Sequence, residues 1–391
     1  VAGVVKMPVE ASAALIQTAM IIAGVGSLIQ LFPFWKFGSG LPIIMGVSFT
    51  FVSVFAYVGT NYGYEAIIGA VIVGGIVEGL LGFFAKYWRK IISPVVAASV
   101  VTAIGFSLLA VGANSFAGGN GSADFGSAQN WVLGGVTLAC CLVFNLFAKG
   151  YYKQLSVLFG LVVGYILALC LGVVDFSAVA AAPVFAMPNF TFPKFKWEAI
   201  VIILPVILVI ASEHIGHQIV TSKIVERDLL KDPGLHRSLF ADNFSTMISG
   251  FIGSVPTTTY GENIGVMAMT KVYSVYVIGG AAVLSIICSF IGKMTTLIST
   301  IPGPVIGGIS FLLYGMIGAS GIRVMVDAQV DYSKSRNQAM TAIVFVTGLS
   351  GISVQIGSIQ LTGMVLACVV GMLMGLTFFI LDKLNLTNDR D

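Results

Sequence analysis

The chain has 391 residues, of which 57% are hydrophobic and 9% charged, where an ordinary soluble domain has about 25% charged. A mean hydropathy of +0.98 excludes a water-soluble globular protein, because so much apolar surface cannot all be hidden inside one fold. The net charge of +3 sits in short loops, not in a patch, which argues against nucleic acid as a partner.

A bilayer-spanning helix needs about 20 apolar residues. Runs of that kind fall at 11–31, 41–58, 64–84, 91–112, 130–147, 154–172, 198–219, 238–255, 260–270, 273–296, 302–320, 338–353 and 360–381. Residues 1–5 read as the tail of one more span whose beginning precedes Val1, so the expected plan has fourteen. Segments 41–58 and 260–270 stand apart, being short or interrupted by Gly, Pro, Ser and Thr. With the stub leading outward, 16 of the 20 Lys and Arg residues fall in inward loops, as the positive-inside rule requires, and the C-terminus is cytoplasmic. The long outward loop 173–197 divides the chain into two sets of seven spans. An odd number per half places the halves in opposite orientations, the arithmetic of an inverted repeat. The two interrupted segments are then the third span of each half, and paired broken helices point to a midplane binding site. The run KIVERDLLKDPGLHR, which holds His236, reads as a solvated linker. The five cysteines lie in apolar stretches without a CxxC pair, so they are expected as packed thiols, with no metal.

Ionisable groups inside spans cost about 2.5–3.5 kcal/mol each, so they call for a reason. Glu213 and His217 are four residues apart and share one helix face, while His214 points elsewhere. A carboxylate beside an imidazole can relay protons, or the pair can be a buried tie between helices. Glu262 lies between Gly261 and Gly265, after Thr257, Thr258 and Thr259. Such a stretch suits unwound backbone lining a cavity, or a loop at the membrane surface. Glu78 reads as a helix-packing or interfacial residue, and Ser310 and Tyr314, four apart, as helix–helix hydrogen-bonding residues. No Walker motif is encoded, so ATP is not the energy source. A passive channel would need a continuous polar pore, and a membrane enzyme a nucleophile or metal-ligand set; neither pattern is visible.

Residues 262–271, ENIGVMAMTK, match the signature of the nucleobase–ascorbate transporter family: Gln, Glu or Pro, then Asn-x-Gly, four free positions, Thr, and Arg, Lys or Gly. All five constrained positions agree, with Asn263, Gly265 and Thr270 as motif residues. SEHIGH, KDPGLHRS, TTTYGENIGVMA, GGISFLLYGMIGASGIRV and VDYSKSRN also resemble the bacterial uracil permease branch, over about 198–380 almost throughout. The resemblance implies an all-α polytopic fold of fourteen spans in a 7+7 inverted repeat, with short strands in spans 3 and 10. It further implies a core domain (1–90 and 198–300) and a gate domain (91–197 and 301–391).

The function it implies is a symporter that takes up a nucleobase with H+ through the inner membrane, driven by the proton gradient without a cofactor. A homodimer is a state that the family allows. Glu213 and Glu262 would hydrogen-bond the edges of the base, and His217 would contact a carbonyl and couple to Glu213 in proton movement. Phe49 and Gly261 would offer backbone contacts, Tyr260 would close one side, and Ser310 and Tyr314 would approach from the gate. One departure is LPIIMGVSFTFVSV, which is closer to xanthine-type members. Uracil is the first expectation and xanthine or another purine the second.

Overall fold

Inside a bilayer every backbone polar group must find a partner within the protein, so the chain is built almost wholly of helices. The computed structural model describes residues 7–34, 38–48, 51–83, 94–119, 122–356 and 359–386. The first half runs α1 (Val9–Leu31), β1 (Met45–Val47), α2 (Val52–Tyr62), α3 (Tyr64–Phe83), α4 (Pro94–Phe116), α5 (Ala128–Phe147), α6 (Tyr151–Gln154), α7 (Ser156–Cys170) and α8 (Ser177–Ala181). The second runs α9 (Trp197–Ile224), α10 (Leu235–Phe251), β2 (Thr257–Thr259), α11 (Gly261–Thr270), α12 (Val275–Ser289), α13 (Gly292–Ser299) and α14 (Gly303–Asp327). It ends with α15 (Ser335–Leu349), β3 (Ser353–Ile356), β4 (Ile359–Thr362) and α16 (Gly363–Lys383). Among the described residues, five helices are long and apolar enough to cross a membrane: α1, α4, α5, α14 and α16.

The helices pack in two sets. In one, α1 lies against α12 and α10, and α3 against α10 and α9. Phe55, Ile67, Ile203, Val206 and Ile207 form the core of that set. In the other, α14 lies against α4 and α5, and α15 against α16 and α4, around Val96, Leu108, Met340, Val344 and Ala367. The α4–α14 crossing shows what holds helices together in lipid, where burial of apolar surface gives little drive and close backbone approach supplies the contact. A Cβ at Gly105 would stand 2.2 Å from the Gly318 nitrogen, and one at Gly307 2.2 Å from that of Phe116.

Four local expectations change. The span at 273–296 is broken, with α12 ending at Ser289 and α13 starting at Gly292. Loop 173–197 docks into that break: Ala186 N–H donates to Phe290 O (2.9 Å) and Gly292 N–H to Val184 O (3.0 Å), so the interrupted backbone is satisfied. The linker after α9 is docked and not freely solvated. Leu229 is buried among Leu41, Ile43, Ile264 and Met267, and its carbonyl accepts the Gln218 amide at 2.8 Å. His236 belongs to the first turn of α10. Between α15 and α16 stands an antiparallel hairpin, Ser353↔Thr362 to Ile356↔Ile359. Of the cysteines, Cys141 and Cys368 are buried as expected, but Cys170 is exposed.

Candidate functional site

The two interrupted spans meet. β1 pairs with β2 antiparallel in the register Met45↔Thr259, Gly46↔Thr258, Val47↔Thr257. The ladder extends by Ser48 N–H to Pro256 O (2.9 Å) and Tyr260 N–H to Ile44 O (3.1 Å). A two-stranded pair leaves both outer edges unbonded, and within a membrane that is costly. Here hydroxyls of neighbouring helices take the place of further strands. Ser27 of α1 accepts the Met45 N–H at 2.8 Å. From α10, Thr246 donates to Thr257 O (2.8 Å), Ser245 bonds the Thr257 hydroxyl (2.8 Å), and Ser249 donates to Val255 O. Gly26 leaves room for this, since a Cβ there would stand 2.1 Å from Ser245 Oγ.

One end of the pair carries the residues singled out above. His217 Nδ1 lies 2.9 Å from Thr259 Oγ1, which fixes its ring on β2. Glu213, one turn earlier on α9, is half-buried on the same side of that helix. The far end of the Tyr260 ring lies over Gly46, and its phenol donates to Val47 O at 3.2 Å. Directly after it α11 begins, with Gly261 and Glu262 in its first turn, where the helix dipole presents its positive end. Ile264 and Met267 bury the apolar side of α11 against Leu41 and Ile43, the extended segment that leads into β1. Asn263 is half-buried, and Gly265 lies in mid-helix. Phe49 and the Glu262 side chain lie outside the described residues.

The end of the signature is a device that stops the helix. Thr270 Oγ1 donates to Val266 O (2.8 Å), and Lys271 takes the left-handed conformation at φ 55°. That conformation favours Gly, which the signature also admits there. Ser310 and Tyr314 are both buried, one turn apart on α14. Tyr314 shares an apolar cluster with Val52, the first residue of α2, and so with the helix that continues from β1.

The sequence reading missed Ser27, the hydroxyls of α10, and the role of Thr259 as the partner of His217. One signal was available. Ser238, Asp242, Ser245 and Ser249 recur at helical spacing along α10, and all four are buried. Glu78 is also buried between helices, 3% exposed, and not interfacial.

The architecture is that of membrane transporters built as two inverted sets of seven spans. The transmembrane domain of a cyanobacterial bicarbonate transporter, BicA, superposes with a TM-score of 0.59 at 14% identity, over 94% of this chain and 95% of that one. SLC26A9 superposes with a TM-score of 0.61 at 10% identity, over 96% of this chain and 64% of that one. The sequence is more specific than the fold. The profile of the Permease family matches residues 1–357. The uracil permease of Paenibacillus larvae is 43% identical over 95% of this chain and 89% of its own length. That of Escherichia coli K12 is 41% identical over 94% and 86%, and that of Bacillus subtilis 39% over 92% and 85%. The chain belongs to the Permease family and is a multi-pass membrane transport protein.

Proposed function

We propose that the chain carries a nucleobase, uracil in first place, into the cell together with a proton, by alternating access in the cytoplasmic membrane with its C-terminus inside. The observation that carries this reading is the β1–β2 pair held at the crossing of the two interrupted spans, with His217 bonded to Thr259 beside it. Irregular backbone within a bilayer is tolerated where it lines a cavity, and substrate sites of inverted-repeat transporters are built there. Relatives at 39–43% identity named uracil permeases make a flat heterocycle the natural occupant.

In this reading the carboxylates of Glu213 and Glu262 accept the ring N–H groups, and backbone N–H groups at Phe49 and Gly261 donate to ring carbonyls. His217 contacts a carbonyl and exchanges a proton with Glu213. Tyr260 forms one wall, and Ser310 and Tyr314 the opposite one. Residues 1–90 and 198–300 act as the core, and 91–197 with 301–391 as the gate. The packing supports that division, because the two helix sets meet chiefly at α9 and α2 against α4, β4 and α16, at α11 against α6 and at α13 against α8. Sets joined by so little contact can rock about a fixed site, and the proton gradient is the only energy source the mechanism uses.

The test is uptake of radiolabelled uracil into proteoliposomes, with and without an inward proton gradient. Gradient-dependent accumulation is expected, and its absence for every nucleobase tried overturns the proposal. A second reading, xanthine or another purine as substrate, is favoured by the stretch LPIIMGVSFTFVSV alone. Competition by unlabelled xanthine in the same assay decides between them.

A further inference from the structure

The loop between α8 and α9 is patterned inside out. From Phe176 to Pro193 it carries no charge. Along its non-helical part, neighbours take opposite sides as they do along a strand. Ala186, Pro188, Thr191 and Pro193 are half-buried, whereas Phe185, Met187, Phe190, Phe192, Phe195 and Trp197 are exposed, Phe192 by 84%. The small side chains thus face the protein, and the large apolar ones face away from it. A loop in water has the reverse arrangement, because apolar surface left wet costs about 25 cal/mol per Å².

The backbone of this loop is fastened to several spans. Gln17 Nε2 donates to Ala186 O at 2.7 Å, and Ala186 N–H donates to Phe290 O in the break between α12 and α13. Further on, Lys194 N–H donates to Glu65 O (2.9 Å) at the start of α3, and the Lys196 ammonium to Tyr62 O (3.4 Å) at the end of α2. Pro183, Pro188 and Pro193 have no N–H to satisfy.

Two helices give the depth of the attachment. α1 has 23 residues, about the number that crosses the hydrocarbon core. From its start at Val9 to Gln17 the axis advances about 12 Å. α13 takes 8 residues, again about 12 Å, to run from the break to the turn before α14. Residues 184–187 are therefore held well below the membrane surface, where the medium around an exposed side chain is lipid. From there the loop rises to Lys194, Lys196 and Trp197. Trp197 opens α9, whose 28 residues measure about 42 Å and reach beyond the hydrocarbon core. Trp and Lys are the residues that anchor spans at that boundary.

We propose that residues 184–197 form a re-entrant anchor seated in lipid, with Phe185 and Met187 among the acyl chains and the aromatic residues from Phe190 to Trp197 at the headgroup boundary. The partner is the bilayer itself. Acyl chains supply the apolar contact that the outer row requires, and the helices behind the loop bond its deepest backbone groups, which lipid cannot do. The loop thus sets the height in the membrane of the helices it ties together, α1, α3, α12 and α13. This goes beyond the transport reading and needs neither its substrate nor its proton.

Tryptophan emission tests it on the full chain in phosphatidylcholine vesicles. Trp35→Phe, Trp88→Phe and Trp131→Phe together leave Trp197 as the reporter. A second protein adds Trp197→Phe and Phe185→Trp and reports from the deep end. The first leaves the loop unaltered, so it decides even where the second fails to fold. Each is measured in plain vesicles, in vesicles brominated on the acyl chain near the headgroup or near the chain end, and with iodide in the water. Bromine is expected to lower emission about twofold or more in both proteins, and iodide much less. The headgroup-side bromine should act more strongly on Trp197, and the deeper bromine more strongly on the second protein. Loss of Trp197 emission to iodide with none to bromine means a loop in water and overturns the proposal. Protection from both quenchers means a surface covered by protein, such as a second copy of the chain, and overturns it equally.

Discussion

Replacing Gly46 by alanine separates the architecture of the strand pair from its use. The new Cβ would stand 2.3 Å from Tyr260 Cζ, 2.4 Å from Cε2 and 2.5 Å from the phenol oxygen. Ordinary carbon contacts are about 3.5–4.0 Å, so the overlap exceeds an ångström and something must move. All three atoms belong to the far end of one side chain, so the ring swings away and the backbone ladder stays. The lost contact is then the Tyr260–Val47 hydrogen bond, 3.2 Å long, which contributes about 0.5–1.5 kcal/mol. A fold of this size tolerates that, and the melting temperature in detergent should fall by only a few degrees. Binding should suffer more, because the displaced ring is the proposed wall of the substrate site and such sites need placement within about 0.5 Å. We expect the KM for uracil uptake to rise about tenfold or more, equivalent to about 1.4 kcal/mol. Tyr260→Phe, which keeps the ring and loses only the phenol, should fall between Gly46→Ala and the parent protein. A Gly46→Ala protein with unchanged melting temperature and unchanged KM would refute both the packing argument and the placement of Tyr260.

Three further predictions follow from single contacts. Thr259→Val removes the 2.9 Å partner of His217 at nearly constant volume and should lower uracil uptake about tenfold, with Thr259→Ser restoring it; equal uptake by Val and Ser variants would contradict the positioning role. Gly105→Ala places a Cβ 2.2 Å from the backbone nitrogen of Gly318, which cannot swing aside, so it should cost about 1–3 kcal/mol by thermal melting. Gly135→Ala, with nothing within 4 Å, should stay within about 0.5 kcal/mol. In the loop before α5, a side-chain hydrogen bond from Asn130, then one from Ser122, holds the Asp124 carboxyl below the ordinary carboxylate range. A depressed acid stabilises the folded loop above its unfolded value and loses that contribution as pH falls through the folded one. Amide-exchange protection over residues 122–130, measured against the intrinsic rate at each pH, should therefore fall only in acid, and Asp124→Asn should remove that dependence; an acid loss of protection in the Asn protein would contradict the assignment.

The sequence alone determined the class of this protein, the approximate extent of most spans and the two places where spans are interrupted. These follow from quantities local to the chain: apolar run length, charge placement, and the Gly, Pro, Ser and Thr that shorten or interrupt the spans at 41–58 and 260–270. The signature around Glu262 named the family for the same reason, since its Thr-Lys ending is a local device that stops a helix. What only the tertiary structure decided is how those pieces meet. In lipid the buried and the exposed faces of a helix are both apolar, so periodicity does not tell which face packs on which neighbour. Thus nothing local indicated that Met45 pairs with Thr259 across the chain, that Ser27, Ser245 and Thr246 would close the strand edges, or that His214 would face Asp242. The break at Phe290–Ile291 also depends on a distant partner, because the backbone groups freed there are bonded by residues 184–186 of a loop about a hundred positions earlier.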